Sequence, residues 1–158
     1  MVANQDKIQM TREGLKEIKE EYQELVEVKR PKIVARLAEA RQEGDLSENN
    51  EYTQARQELT FIDGRIAELE RVISKAVVVS SNHNKCQKVS LGCRVTVKNG
   101  DGQQQVFHLV GEWEADPLVR KISFESPLGK SLLGRKTGDE VEVKAPAGKI
   151  VYKITKID

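Results

Sequence analysis

The stretch Tyr52-Thr53-Gln54-Ala55-Arg56-Gln57-Glu58-Leu59-Thr60-Phe61-Ile62-Asp63-Gly64-Arg65-Ile66-Ala67-Glu68-Leu69-Glu70-Arg71-Val72-Ile73-Ser74-Lys75-Ala76 carries apolar side chains at Tyr52, Ala55, Leu59, Ile62, Ile66, Leu69, Ile73 and Ala76. The steps alternate three and four, so one helical stripe keeps facing the same way, as in the seam of a coiled coil. An earlier segment opens alike with Leu15, Ile18, Tyr22 and Leu25, then changes frame through Val26, Ile33, Leu37 and Ala40. The change falls beside Lys29-Arg30-Pro31, where a stutter and a proline kink are expected. Gly44 followed by Asp45 reads as a helix stop and a new start. The expectation is an antiparallel helical hairpin. A helix from Thr11 to Gln42 would be roughly 48 Å long, nearly matched by a return to Lys75, so the hairpin is expected to project beyond a small globular domain. Its seam thins toward the turn, where Leu37, Ala38, Ala40 and Ala55 are the main apolar residues, which predicts a slender tip suited to insertion.

After residue 76 the period becomes two. Arg94-Val95-Thr96-Val97-Lys98 and Gln105-Val106-Phe107-His108-Leu109-Val110 flank Asn99-Gly100-Asp101-Gly102, the chemistry of a hairpin turn. Further strands are expected at Lys121 to Glu125, Glu140 to Lys144 and Lys149 to Ile157, with a short helix from Ser126, its cap, to Gly134. The fold class is α+β: an antiparallel coiled-coil hairpin over residues 1–76, then a small domain with an antiparallel sheet over residues 77–158. Charge changes at the same place. Residues 1–79 hold 13 basic and 16 acidic side chains, residues 80–158 hold 13 and 9, so a net charge of +1 conceals −3 followed by +4.

With 158 residues, 4% of them aromatic, the chain must build one or two small cores from aliphatic side chains. The longest run of Ala, Val, Ile or Leu is Ala76 to Val79, far short of a membrane span, and Met1 to Met10 lacks a signal-type apolar core; a cytoplasmic location is expected. Cys86 and Cys93 are too few for a disulfide scaffold, and with His83 and His108 they do not supply the spacing of a structural zinc site. Cys93 is expected to fill core space and His83 to lie in an exposed loop. Gly129-Lys130-Ser131 ends like a phosphate loop, but Phe124 stands where the leading glycine is needed. The basic residues of the second half are spread among acids, a poor linear signal for nucleic-acid recognition.

The hairpin tip, Glu43-Gly44-Asp45-Leu46-Ser47-Glu48-Asn49-Asn50-Glu51-Tyr52, has two readings. Asp45 and Glu48 fit the N-cap and third helical position of a capping-box start, where acids suit the helix dipole. The same spacing presents two carboxylates together to a hard cation, with Asn49 as a polar neighbour. Two carboxylates do not complete a magnesium shell, so a partner would have to supply the rest. Arg41 and Arg56 flank the turn as a cationic collar able to meet RNA phosphates, or as ordinary surface charges.

Lys29-Arg30-Pro31, Ala38-Glu39-Ala40-Arg41, Gly44-Asp45-Leu46-Ser47-Glu48-Asn49-Asn50-Glu51-Tyr52 and Ala55-Arg56 resemble the hairpin of the Gre transcript-cleavage factors, in the GreA type more than the GreB type. Val110-Gly111, Glu114-Ala115-Asp116, Ile122-Ser123, Ser126-Pro127-Leu128-Gly129-Lys130, Leu132-Leu133-Gly134, Gly138-Asp139-Glu140-Val141 and Pro146-Ala147-Gly148 agree independently, so the likeness covers nearly the whole chain from Thr11. It implies a bacterial cytoplasmic protein whose FKBP-like C-terminal domain docks on the rim of the RNA polymerase secondary channel while the hairpin enters it. Asp45 and Glu48 would be the tip acids, sharing a Mg2+ ion with the polymerase and stimulating its cleavage of backtracked RNA. Such a protein is an accessory factor, not a nuclease in its own right. Arg41 and Arg56 match family positions near the nascent RNA 3′ end, and Ser126 and Pro127 match the docking loop. No membrane or small-molecule substrate is implied. The sequence departs from the family pattern at Asn50, more often Ala, and at Trp113, which reads equally as core filler or exposed contact.

Three other readings compete. A non-cleaving Gre-like inhibitor that occupies the polymerase channel has the same architecture, but both tip acids argue against it. A prolyl isomerase is suggested by fold analogy alone, and Phe107, Trp113, Phe124 and Tyr152 are few aromatics for its pocket. A plain dimerisation coil leaves the acidic Gly-Asp turn unexplained.

Overall fold

The computed structural model describes residues 6–43, 50–79 and 86–158. Lys16–Lys75 forms one unit, and the residues up to Leu15 join Ala76–Asp158 in the other.

Thr11 starts the first helix, α1 (Arg12–Glu24), by accepting the Gly14 N–H on its hydroxyl at 3.0 Å. A π-helical turn, Leu25–Lys29, follows and leads into α2 (Arg30–Gln42). The Arg30 N–H bonds to the Leu25 carbonyl five residues back, so the turn takes up one extra residue. The buried seam shows the same count: Ile18 to Leu25 is seven residues, Leu25 to Ile33 eight, Ile33 to Ala40 seven. Pro31 supplies the cause, because it lacks an N–H and in an α-helix its ring would crowd the Glu27 carbonyl. The frame shift expected beside Lys29-Arg30-Pro31 therefore takes the form of this wider turn.

The returning helix, α3 (Asn50–Lys75), buries Ala55, Ile62, Leu69 and Val72. Leu59, Ile66 and Ile73 are half-buried, and Val72, which lies off the expected stripe, is fully enclosed. Polar pairs flank the seam. Arg65 Nε meets Glu21 at 2.8 Å, Arg30 meets Asp63 at 2.7 Å, and Arg36 forks between Glu51 at 2.9 Å and Glu58 at 2.8 Å. Tyr22 donates its hydroxyl to Glu70 at 3.0 Å, and that bond raises the phenol pKa. From Tyr22–Glu70 through Arg30–Asp63 to Arg36–Glu58, one partner's number falls as the other's rises, so α3 runs antiparallel to the α1–α2 arm. These exposed pairs add little each and act on register more than on stability.

In the other unit, β1 (Ile8–Met10) lies parallel to β2 (Ala76–Val78), with Ile8 opposite Ala76 and Met10 opposite Val78. The alternation of the sequence did not suggest either strand, and their pairing places residues 8–10 with the sheet body where the sequence reading assigned them to the hairpin. A five-stranded sheet follows in the order β5-β4-β3-β7-β6, from β3 (Arg94–Lys98), β4 (Gln104–Val110), β5 (Lys121–Ser123), β6 (Glu140–Ala145) and β7 (Gly148–Ile157). It is antiparallel except where β5 runs parallel to β4. The β3–β4 turn is held by the Asn99 side chain, which accepts the Asp101 N–H at 3.1 Å and the Gln103 N–H at 2.9 Å. β5 stops at Ser123, two residues short of expectation, because the Ser123 carbonyl turns to accept the Ser126 N–H and hydroxyl.

One face of the sheet carries the core: Val95, Val97, Leu109, Val141 and Ile154, with Val89 and Leu132, are buried together. Phe107 and Tyr152 meet edge to face at its border, 6.2 Å between ring centres. The short helix α4 (Pro127–Leu132) covers this face through Leu128 and Leu132 and packs on β5 and β6. Gly129 allows the approach, since a Cβ there would run into the Ser123 carbonyl. Cys93 is fully buried as expected, but its sulfur is joined to Cys86 in a disulfide, a pairing not anticipated. Trp113 is half-buried on a 3-10 turn, Glu112–Glu114, and so is neither a core filler nor a free contact. His83 lies outside the described residues.

Candidate functional site

Arg41 sits on the last turn of α2 and Arg56 on the second turn of α3, so both arginines belong to the end of the hairpin where α2 stops and α3 begins. The Arg41 guanidinium lies over the Tyr52 ring, 5.8 Å from its centre. This cation–π contact holds the charge against a flat apolar surface, and the Arg41 side chain is exposed. Tyr52 was expected in the seam; it is half-buried and also carries Arg41.

Tyr52, Thr53, Arg56, Gln57 and Thr60 line an open cavity of about 470 Å³ on α3. The Thr60 hydroxyl donates to the Arg56 backbone carbonyl at 3.0 Å, and Arg56 is exposed. The result is a polar shelf with one aromatic face and two cations near it, a surface whose chemistry suits a phosphate and a base. Asp45 and Glu48 lie outside the described residues. Among the described residues no group of three or more His, Cys, Asp or Glu is placed to hold a metal ion.

On the sheet unit, Ser126 caps α4. Its hydroxyl donates to the Ser123 carbonyl at 2.6 Å and accepts the Gly129 N–H at 3.0 Å, and Pro127 stands exposed at the first helical position. Ser126 and Pro127 are thus held rigidly at a surface turn. The preceding 3-10 turn, Pro117–Val119, adds a feature that alternation does not reveal: Leu118 is 93% exposed and Val119 61%. Asp116 fixes that turn by accepting the Leu118 N–H at 3.0 Å, and Arg120 closes it in the left-handed region at φ 57°. Two apolar side chains held in water on a braced turn are the kind of surface a protein partner covers.

No described helix is long and apolar enough to cross a membrane.

The family profile for the N-terminal domain of transcription elongation factors matches residues 8–78, and the GreA/GreB C-terminal profile matches residues 83–158. The GreA transcription elongation factor of Thermoanaerobacter pseudethanolicus is 47% identical over 149 residues, 94% of this chain and 95% of that one. The GreA of Geobacillus kaustophilus is 43% identical over 157 residues, 99% of each chain. The crystal structure of GreA factor homolog 1 (Gfh1) of Thermus thermophilus aligns over 96% of this chain and 99% of that one, with 26% identity and a TM-score of 0.44. With both halves matched in order and the hairpin and sheet units in place, the chain belongs to the GreA/GreB family of transcription elongation factors.

Proposed function

We propose that this elongation factor binds bacterial RNA polymerase, inserts its hairpin tip into the secondary channel and stimulates the polymerase's own cleavage of backtracked RNA. The observation that carries the reading is the pair of exposed arginines, Arg41 braced on Tyr52 and Arg56 on the adjacent shelf, at the end of the hairpin from which the sequence continues into Asp45 and Glu48.

Asp45 and Glu48 offer hard oxygen donors, the type that suits Mg2+, and they are too few for its shell of about six oxygens, so the polymerase contributes the remainder. A Mg2+ ion held between the two proteins supplies Lewis-acid activation of water and offsets charge on the phosphate. The part of this chain is to deliver the two carboxylates to the RNA and to steady the 3′ segment. Arg41 and Arg56 pair with its phosphates, and Tyr52 limits the freedom of Arg41 so that less order is lost on contact. Ser126 and Pro127 dock the sheet unit on the rim of the channel, with Leu118 and Val119 as apolar support.

The test is cleavage of 3′-labelled RNA in a stalled, backtracked complex with Mg2+. Wild type is expected to release short 3′ fragments, and Asp45→Ala and Glu48→Ala to bind polymerase normally but release none. Normal cleavage by either variant would overturn the metal-lending role. Slowed transcription without cleavage by wild type would move the assignment to the channel-occupying inhibitor.

A further inference from the structure

The sheet has two faces, and the core and α4 cover one of them. On the other face, strand register collects basic residues that the linear sequence scatters. Arg94, His108 and Lys121 stand directly opposite one another on β3, β4 and β5. Two residues further along, Thr96 faces Lys156 of β7, and beyond it Lys98 faces Lys153. Lys153 and Lys156 are three apart, so a regular strand would send them to opposite faces. The register shift between Thr96 and Val97 prevents this: it keeps both lysines outward, where they are exposed, and turns Ile154 and Ile157 together toward the core.

The face is strongly basic after its acids are counted. Asp158 pairs with Lys156 at 2.8 Å and Glu140 stands opposite Lys153. Glu114 lies close enough to influence His108, but its carboxylate accepts from Thr11 and Gly111. Glu142 and Lys144 share Glu140's side of β6, with Lys149 opposite Lys144 and paired to Glu142 at 2.9 Å, so the face carries seven cations against four acids. Lys98 directly opposite Lys153 is a like-charge cross-strand pair, an arrangement that costs stability unless an anion sits over it. His108 is half-buried between Arg94 and Lys121, and burial followed by the Arg94 charge lowers its pKa, so near neutral pH it presents an uncharged planar ring among cations.

We infer that this outer face is a binding surface for single-stranded RNA, with Arg94, Lys98, Lys121, Lys153 and Lys156 engaging phosphates and His108 stacking on a base. Charge complementarity sets the class of ligand, and the shape of the surface sets its form. Neighbouring strands lie about 4.8 Å apart and residues on one face about 6.8 Å apart along a strand, giving a shallow lattice of charge. A major groove about 12 Å wide admits a helix or a two-stranded ribbon, but not the broad face of a five-stranded sheet, whereas a flexible single strand can lie across it. The strands offer this face no Phe, Tyr or Trp, since Phe107 and Tyr152 point to the core, so recognition rests on the backbone and tolerates any sequence. This surface is separate from the hairpin and does not rest on the tip chemistry proposed above.

The experiment is fluorescence anisotropy of the full-length protein, without polymerase, on a labelled unstructured RNA oligonucleotide between about 50 and about 200 mM salt. Two charge reversals, Arg94→Glu with Lys98→Glu and Lys153→Glu with Lys156→Glu, are each expected to weaken binding at least about tenfold and to lower the salt slope by about 0.7 for each phosphate no longer neutralised. Arg41→Ala with Arg56→Ala measures the hairpin's own share of RNA binding and is expected to lower affinity and slope by less than either reversal. Unchanged thermal midpoints establish that the variants are folded, and the milder Lys→Gln pair serves if a reversal unfolds. Wild-type affinity in the folded reversals, loss of binding only in the hairpin control, or tighter binding of duplex DNA than of RNA would each overturn the inference. So would a reversal that spares RNA binding and reduces binding to polymerase, which would make the face a protein-docking surface.

Discussion

Glu114 clamps Thr11 at two points: its carboxylate accepts the Thr11 backbone N–H at 2.9 Å and the Thr11 hydroxyl as well. The same carboxylate takes the Gly111 N–H at 3.0 Å, while Thr11 is the 5% exposed cap from which α1 starts. A side chain 103 positions away thus completes a helix start. Removing it leaves buried donors without partners, so Glu114→Ala is expected to cost about 2–4 kcal/mol, and Glu114→Gln less because the amide oxygen still accepts. Gly14→Ala is expected to act in the same direction, since the added methyl would strike the Glu114 carboxylate. Urea titrations of the variants measure this; a loss below about 0.5 kcal/mol for Glu114→Ala would show that water replaces the clamp.

Val28 provides a test of the π turn. It lies inside Leu25–Lys29 and is 43% exposed, and deleting it would restore seven-residue spacing between Leu25 and Ile33. The deletion alone returns Pro31 to the interior of an α-helix and is expected to cost about 3 kcal/mol. Adding Pro31→Ala is expected to recover most of that loss. Thermal melts of the single and double variants decide the point, and equal stability of the two would separate the turn from the proline.

Arg65 links the arms through Glu21 at 2.8 Å and pairs within its own helix with Glu68 at 2.7 Å, contacts that hold its guanidinium pKa above the ordinary value. Its side chain is 34% exposed, so screening reduces the benefit. Arg65→Met is expected to cost under about 1 kcal/mol at low salt and nearly nothing at high salt. A loss that persists at high salt would assign Arg65 a packing role instead.

His108 should leave a mark on the pH dependence of stability. Burial, then Arg94, lowers its pKa from the usual 6.5, so the unfolded chain takes up the proton more readily than the folded one. Stability therefore rises with pH between the lowered folded value and 6.5, and is lost as pH falls through that window. His108→Gln is expected to flatten this slope below pH 6.5, read from denaturation midpoints. An unchanged slope would place the ring in water.

The helices were legible because a seam repeats: Ala55, Ile62 and Leu69 recur every seven residues and are all buried. The strands were legible where side chains alternate, as from Arg94 to Lys98. Pairing between distant short segments was not. Ile8–Met10 and Ala76–Val78 are three residues each, too short for a period, and they meet only after the whole hairpin intervenes. The Cys86–Cys93 bond and the Glu114 clamp also depend on proximity that no spacing encodes. At the hairpin end, the motif drew attention to Arg41 and Arg56, whereas the seating of Arg41 on Tyr52 required the packing of two helices. The basic face was hidden for a sharper reason: one extra residue on β7, set where its register shifts between Thr96 and Val97 of β3, reverses the parity on which strand reading relies.

The parallel pairing of β1 with β2 makes the intervening helices a crossover in the topological sense. The chain leaves Met10 at one end of this two-strand ribbon and must return to Ala76 at the other, a connection that needs a dozen or more residues whatever its purpose. The arms can therefore lengthen or shorten by matched heptads while the sheet keeps its pairing, but they cannot be excised and the stumps joined by a tight turn. A minimal sheet domain made by protein engineering will need a surrogate bridge between Met10 and Ala76, and the length of the arms is free to vary without redesign of their base.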